Sequence, residues 1–185
     1  MKNKDYYRFL INTEKTELKA KTKWARDLRV DQIPLESFFS EIKFICKDNK
    51  LREFYFKLLH RTIVTKKELF LYGIKDDMFC EYCQMNDSII HTLQNCTLTK
   101  QFFSEVIKWF NNENATSLRY SQIEILFGRK SDDKNVDSYF VKKLNFTLLY
   151  AKYYLYNQKL LCNEISMIEF MANLNQKYSL EGLSM

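Results

Sequence analysis

The sequence predicts a mainly α-helical protein with a small Cys3His zinc knuckle inserted between helices, and three observations carry that expectation. Only three glycines and one proline occur in 185 residues, while 16% of the residues are aromatic. A chain with so few turn-makers and so many core-formers favours long helices over many short strands. Apolar residues recur at helical spacing through most of the chain, the pattern of helices with a buried face. Finally, Cys80, Cys83, His91 and Cys96 form a C-x2-C-x7-H-x4-C arrangement that takes three of the five cysteines and one of the two histidines.

In residues 1–30 the apolar positions Tyr6, Tyr7, Leu10, Ile11, Leu18, Trp24, Ala25 and Leu28 are interleaved with lysines and arginines. They predict an N-terminal helical segment with a solvated basic face. Pro34 suits the first turn of a helix running to about Lys47. Its apolar face is Leu35, Phe38, Phe39, Ile42, Ile45 and Cys46, and Cys46 reads as a buried free thiol. Asp48-Asn49 break the pattern. A helix from about Lys50 to Thr62 then turns Leu51, Phe54, Tyr55, Leu58 and Leu59 inward and Arg52, Lys57 and Arg61 outward. A short helix from Thr65 to Tyr72 follows, with Thr65 as its cap and Gly73 as its stop, since glycine takes the left-handed turn without strain.

The metal segment comes next. Thiolate sulfur and imidazole nitrogen are the donors zinc prefers, and Cys3His is a known structural set. Cys80 and Cys83 supply two ligands from one turn, and His91 and Cys96 supply two from the segment after it. Four protein ligands leave no position for water, so the site is expected to hold one structural Zn2+ and not a catalytic one. The competing readings are a redox Cys-x-x-Cys and four unrelated buried side chains. A redox pair belongs in a strand-helix-strand pattern, and none is visible.

After Cys96, with Thr97 and Thr99 as candidate caps, Phe102, Phe103, Val106, Ile107, Trp109 and Phe110 mark an amphipathic helix. Residues 113–134 read as a linker, broken by one short apolar piece, Ile123 to Phe127, that Gly128 closes. Residues 135–162 hold the longest helical pattern, from Val136 through Leu144, Leu148 and Leu155 to Leu161. It is apolar on more than one face, as in a helix buried by several neighbours. A last helix from about Ile165 to Tyr178 completes a C-terminal helical hairpin over 135–185, with Cys162 inert at the joint. The domain plan is thus an N-terminal segment (1–30), helices plus knuckle (31–112), a linker (113–134) and the hairpin.

The functional classes narrow by elimination. No glycine-rich phosphate loop, Gly-x-Ser-x-Gly or His-Glu-x-x-His occurs, so no catalytic site is expected. His60 has no partner in any motif, and Asp76-Asp77 and Asp132-Asp133 suit helix starts. No stretch approaches the ~18 apolar residues of a spanning helix, and the charged N-terminus leads into no signal-like run. An intracellular protein without membrane or small-molecule partners is the expectation. The net charge is +6. Just before the cysteines, Arg52, Lys57, Arg61, Lys66 and Lys67 lie among Tyr55, Phe56 and His60. Cations that neutralise phosphates beside aromatics that stack on bases suit a nucleic-acid partner, RNA or DNA. The competing reading places the aromatics in the core and the cations in solvent.

Together these residues resemble a known family. Leu51-Arg52-Glu53-Phe54 and Lys57-Leu58-Leu59-His60-Arg61 precede the run from Leu71 to Asp76; Cys80, Cys83, His91 and Cys96 follow, then Phe102-Phe103 and Trp109. This order resembles the zinc-binding region after the polymerase domain in reverse transcriptases of non-LTR (LINE-like) retrotransposons, over roughly residues 23–112. The resemblance implies zinc on Cys80, Cys83, His91 and Cys96, a role in holding template RNA or target DNA, and the remainder of a retroelement protein as a partner. The chain departs from the family at Ile90, before the histidine, and at Gln94 and Thr97, around the last cysteine, and neither departure removes a ligand. The polymerase Tyr/Phe-x-Asp-Asp and the endonuclease carboxylates have no counterpart in this chain, so it is expected not to polymerise or cut by itself.

Overall fold

Several helices in this chain begin where a side chain can accept the first free backbone N–H groups. The computed structural model describes residues 19–130 and 137–184. They form α1 (Lys19–Leu28), α2 (Leu35–Ile45), α3 (Asn49–Leu59), α4 (Lys66–Leu71), a π-helical turn (His91–Asn95), α5 (Thr97–Glu113), α6 (Gln122–Phe127), α7 (Ser138–Leu160) and α8 (Met167–Glu181). The β pairing among the described residues is one isolated bridge, Phe79 with Asn86. The mainly α class expected from the composition is therefore the class found. The expectations for Tyr6, Tyr7, Leu10, Ile11, Leu18, Asp132-Asp133 and Val136 fall outside the described residues.

The chain divides into two units, residues 1–35 and residues 36–185. The described part of the first is α1 and the turn after it, with Ala20 and Trp24 buried. In the second unit, Asp48 caps α3 by accepting from the N–H groups of Lys50 and Leu51. Thr65 and Glu68 form a capping box at α4, and Ser121 and Glu124 form another at α6.

The second unit is organised around α7, against which α3, the π-turn, α5, α6 and α8 all pack. Its apolar residues on several faces, Leu144, Phe146, Leu148, Leu149 and Leu155, are all buried. The polar residues between them reach surrounding backbone or side chains, as buried polar groups must. Lys143 Nζ donates to Asn114 Oδ1 (2.9 Å), and Lys152 Nζ donates to the carbonyls of Ile125 (2.9 Å) and Leu126 (2.5 Å). Asn145 bonds both backbone groups of Arg129.

Part of the expected linker is not a tether. Residues 122–127 form α6, whose Leu126 and Phe127 are buried, and Phe127 stacks on Phe38 with ring centroids 5.3 Å apart. The segment is short and mostly polar, so its packing depends on partners far away in sequence. One of them is Tyr55, whose hydroxyl donates to Phe127 O (2.7 Å). At the other end of the chain, Glu181 of α8 accepts from the N–H groups of Lys47 and Asp48, at 2.8 and 3.0 Å. Lys177 pairs with Asp48 at 2.5 Å. The hairpin is thereby tied to the α2–α3 junction.

Candidate metal centre

The knuckle is a tight backbone turn. Cys80 N–H donates to Met85 O (2.8 Å) and Gln84 N–H donates to Cys80 O (2.9 Å), while Gln84 takes a left-handed φ of 58°. This turn presents Cys80 and Cys83 to one side. The second pair comes from a different device. His91 opens the π-turn, and Cys96 N–H closes it on His91 O at 3.0 Å. The wider π geometry spaces the two ligands along one short segment.

Cys96 also stands at the N-cap of α5, with Thr97 as the first helical residue. The cap expected at Thr97 or Thr99 is thus taken by the cysteine. A thiolate is well suited to the position, because the helix N-terminus offers unpaired N–H groups and a positive dipole end. Thr99 is used differently: its hydroxyl donates to Thr92 O (2.8 Å) and locks the π-turn to α5.

The ligand atoms of Cys80, Cys83, His91 and Cys96 all lie within 4.8 Å of one another. Cys80 Sγ is 3.8 Å from Cys96 Sγ, Cys83 Sγ is 3.9 Å from Cys96 Sγ, and Cys83 Sγ is 3.2 Å from His91 Nε2. No pair is bonded, and all five cysteines are free thiols. Four converging soft donors at these separations can hold one metal ion. Cys46 and Cys162 stand apart from the group, the first buried and the second exposed at the end of α7.

The surroundings shift the titration of Cys80, Cys96 and His91. Burial pushes the Cys80 thiol up to about 11. Burial opposes ionisation of Cys96 too, but the N–H groups of Thr99 and Leu98 and the cation of Lys159 outweigh it and draw the thiol below its ordinary range. Burial and Lys159 hold His91 below its usual value, toward the neutral imidazole that binds metal.

Comparison with models of known families, with curated proteins and with solved structures finds no match to this chain. The reading of the site rests on its geometry.

Two residues that support this centre escape a sequence reading. Asp87 is buried and accepts from Thr92 Oγ1 (2.7 Å) in the π-turn, while its backbone carbonyl accepts from Thr65 Oγ1 at the start of α4. Lys159, from the last turn of α7, brings its ammonium over the Tyr82 ring, 5.9 Å from the centroid. An aspartate just before the segment that carries His91 is a weak cap signal in the sequence. Nothing in the sequence marks Lys159.

Of the cations expected to bind nucleic acid, Lys66 joins the knuckle, pairing with Asp77 (2.9 Å) and Glu81 (2.7 Å). Lys57 pairs with Glu53 at 2.6 Å. Arg52 donates to the carbonyls of Cys46 (2.7 Å) and Lys43 (3.4 Å). Arg61 is half-buried at a left-handed φ of 57°, and Lys67 is half-buried in the first turn of α4. Tyr55 lies in the core, and Phe56 is exposed and packs on His60, which also meets Phe39.

Proposed function

We propose that this chain is a zinc-stabilised helical module that binds RNA or target DNA in support of retroelement reverse transcription, without catalytic activity of its own. The observation that carries the zinc reading is the ligand geometry. Tetrahedral zinc with Zn–S bonds near 2.3 Å places its sulfurs about 3.8 Å apart. Cys80, Cys83 and Cys96 include separations of 3.8 and 3.9 Å. Three sulfurs and one imidazole suit zinc better than the oxygen-seeking cations, and four protein ligands make the site structural.

The nucleic-acid half of the proposal is supported by the net charge of +6 and by the resemblance of residues 23–112 to the zinc-binding region of LINE-like reverse transcriptases. Its test is binding of the zinc-loaded protein to a labelled single-stranded RNA over a salt series. Micromolar or tighter affinity that falls steeply with salt supports the reading, since each phosphate contact releases counterions. No binding at low salt removes it.

A structural module that binds another protein is the second reading, and one feature favours it. Leu71, Tyr72, Ile74 and Phe79 are exposed beside the knuckle, the first three by 65% or more. Contiguous exposed apolar residues mark interaction surfaces. A Leu71→Ser/Ile74→Ser variant that binds RNA like the parent favours the nucleic-acid reading.

A further inference from the structure

The cations nearest the knuckle in sequence are largely engaged by neighbouring groups, yet a different set is not. A groove of about 680 Å³ runs between α5, the segment 114–121 and α6. Lys100, Lys108 and Arg119 line it, and no carboxylate does. All three are exposed, and none forms an ion pair among the described residues. The floor is apolar, from Leu93, Ile107 and Ile125. The groove is continuous with the metal centre, because Leu93 and Gln94 belong to the π-turn between His91 and Cys96.

Its polar groups fall into two classes. Gln94 and Asn111 are committed to the structure: Gln94 Nε2 donates to Gln122 O (2.7 Å) and Asn111 Nδ2 donates to Leu118 O (3.0 Å). These bonds hold the walls in place. The side chains of Ser104, Asn112, Ser117 and Gln122 are exposed and make no hydrogen bond among the described residues. Amides and hydroxyls both donate and accept, so they can meet base edges and sugars, whereas a purely anionic partner needs donors alone.

We infer that this groove is the docking channel for a single-stranded nucleic acid, with Lys100, Lys108 and Arg119 on the phosphates and Asn112 and Gln122 facing the bases. The inference rests on the nucleic-acid reading above and gives it a surface other than the one the sequence indicates. Metal binding supports the channel indirectly, by holding the π-turn that forms one wall.

The test compares two charge reversals in metal-loaded protein, read by anisotropy of a labelled twelve-nucleotide uridine oligomer. Lys100→Glu/Lys108→Glu/Arg119→Glu removes the groove cations. Lys57→Glu/Lys67→Glu changes the basic helices before the knuckle. Circular dichroism and metal content confirm that each variant is folded. The expected result is at least a tenfold loss of affinity for the groove variant, with its log–log salt slope reduced by about 2 units, against a small change for the other. Equal binding by parent and groove variant overturns the channel and leaves the nucleic-acid function standing. Failure of the parent to bind any oligomer overturns both. Groove-dependent binding of an acidic peptide without RNA binding also overturns the inference and makes the groove a protein site.

Discussion

Lys159 Nζ lies 3.8 Å from Asp87 Oδ1, so the end of α7 meets the polar hub of the knuckle. The ammonium is buried and makes no hydrogen bond among the described residues. Three thiolates around a dication carry a net negative charge, and Lys159 is the cation that acts on Cys80, His91 and Cys96 alike. Its position explains why a helix far along the chain contributes to the metal segment.

Removing that cation is expected to weaken metal retention. Lys159→Met keeps the aliphatic stem and loses the charge, and supporting residues of this kind typically contribute 10–100-fold to metal affinity. Competition with a chromophoric chelator measures it. An unchanged affinity would show that the ammonium only fills space.

Metal removal should unfold the knuckle before the core. Residues 77–97 contribute few apolar side chains, whereas α7 is buried by α3, α5, α6 and α8. Structural zinc supplies about 10–16 kcal/mol apparent in small peptides. Hydrogen exchange after chelation is expected to lose protection in residues 77–97 and keep it through residues 144–155. Uniform loss across both segments would contradict this order.

Gly128 closes α6 with φ of 89°, and a Cβ built there meets Asn145 Oδ1 at 2.8 Å. Gly73 has φ of 70° with nothing within 4 Å of such a Cβ. Both alanine substitutions pay for the left-handed backbone, about 1 kcal/mol. Gly128→Ala must in addition displace an amide that holds Arg129, so a loss of about 2–3 kcal/mol is expected. Urea denaturation should rank Gly128→Ala well below Gly73→Ala.

Lys152 provides a pH signature. Burial draws its amine down to about 7. Between that value and the ordinary lysine range the unfolded chain binds a proton that the folded chain does not, so stability rises with pH through this window. Below it the lysine destabilises the fold in full. The slope is at most about 1.4 kcal/mol per pH unit. Denaturation of metal-loaded protein from pH 7 to 9 should show this rise in the parent, and Lys152→Met should abolish that component.

Much of this architecture is legible locally. The ligand spacing is a short-range pattern, and the site uses all four residues it names. The many-sided apolar pattern around Leu144 to Leu155 identifies a central helix without any partner being known. Other features are legible only in part. Thr97 and Thr99 are reasonable caps by residue type, yet the N-cap position is held by Cys96, because the π-turn before it sets where α5 begins. Ile123 to Phe127 reads as a fragment of a linker, because the stacking of Phe127 on Phe38 joins residues far apart in the chain.

By itself, the sequence determines the helical class, the buried face of most helices and the four converging donors, since each depends on neighbours within one or two turns. Tertiary structure decides which charges remain free. Lys57 and Lys66 find carboxylates and Lys159 is buried beneath the knuckle, while Lys100, Lys108 and Arg119 stay exposed along one groove. Charge pairing depends on distances between side chains on different elements, and only the packing of those elements sets them.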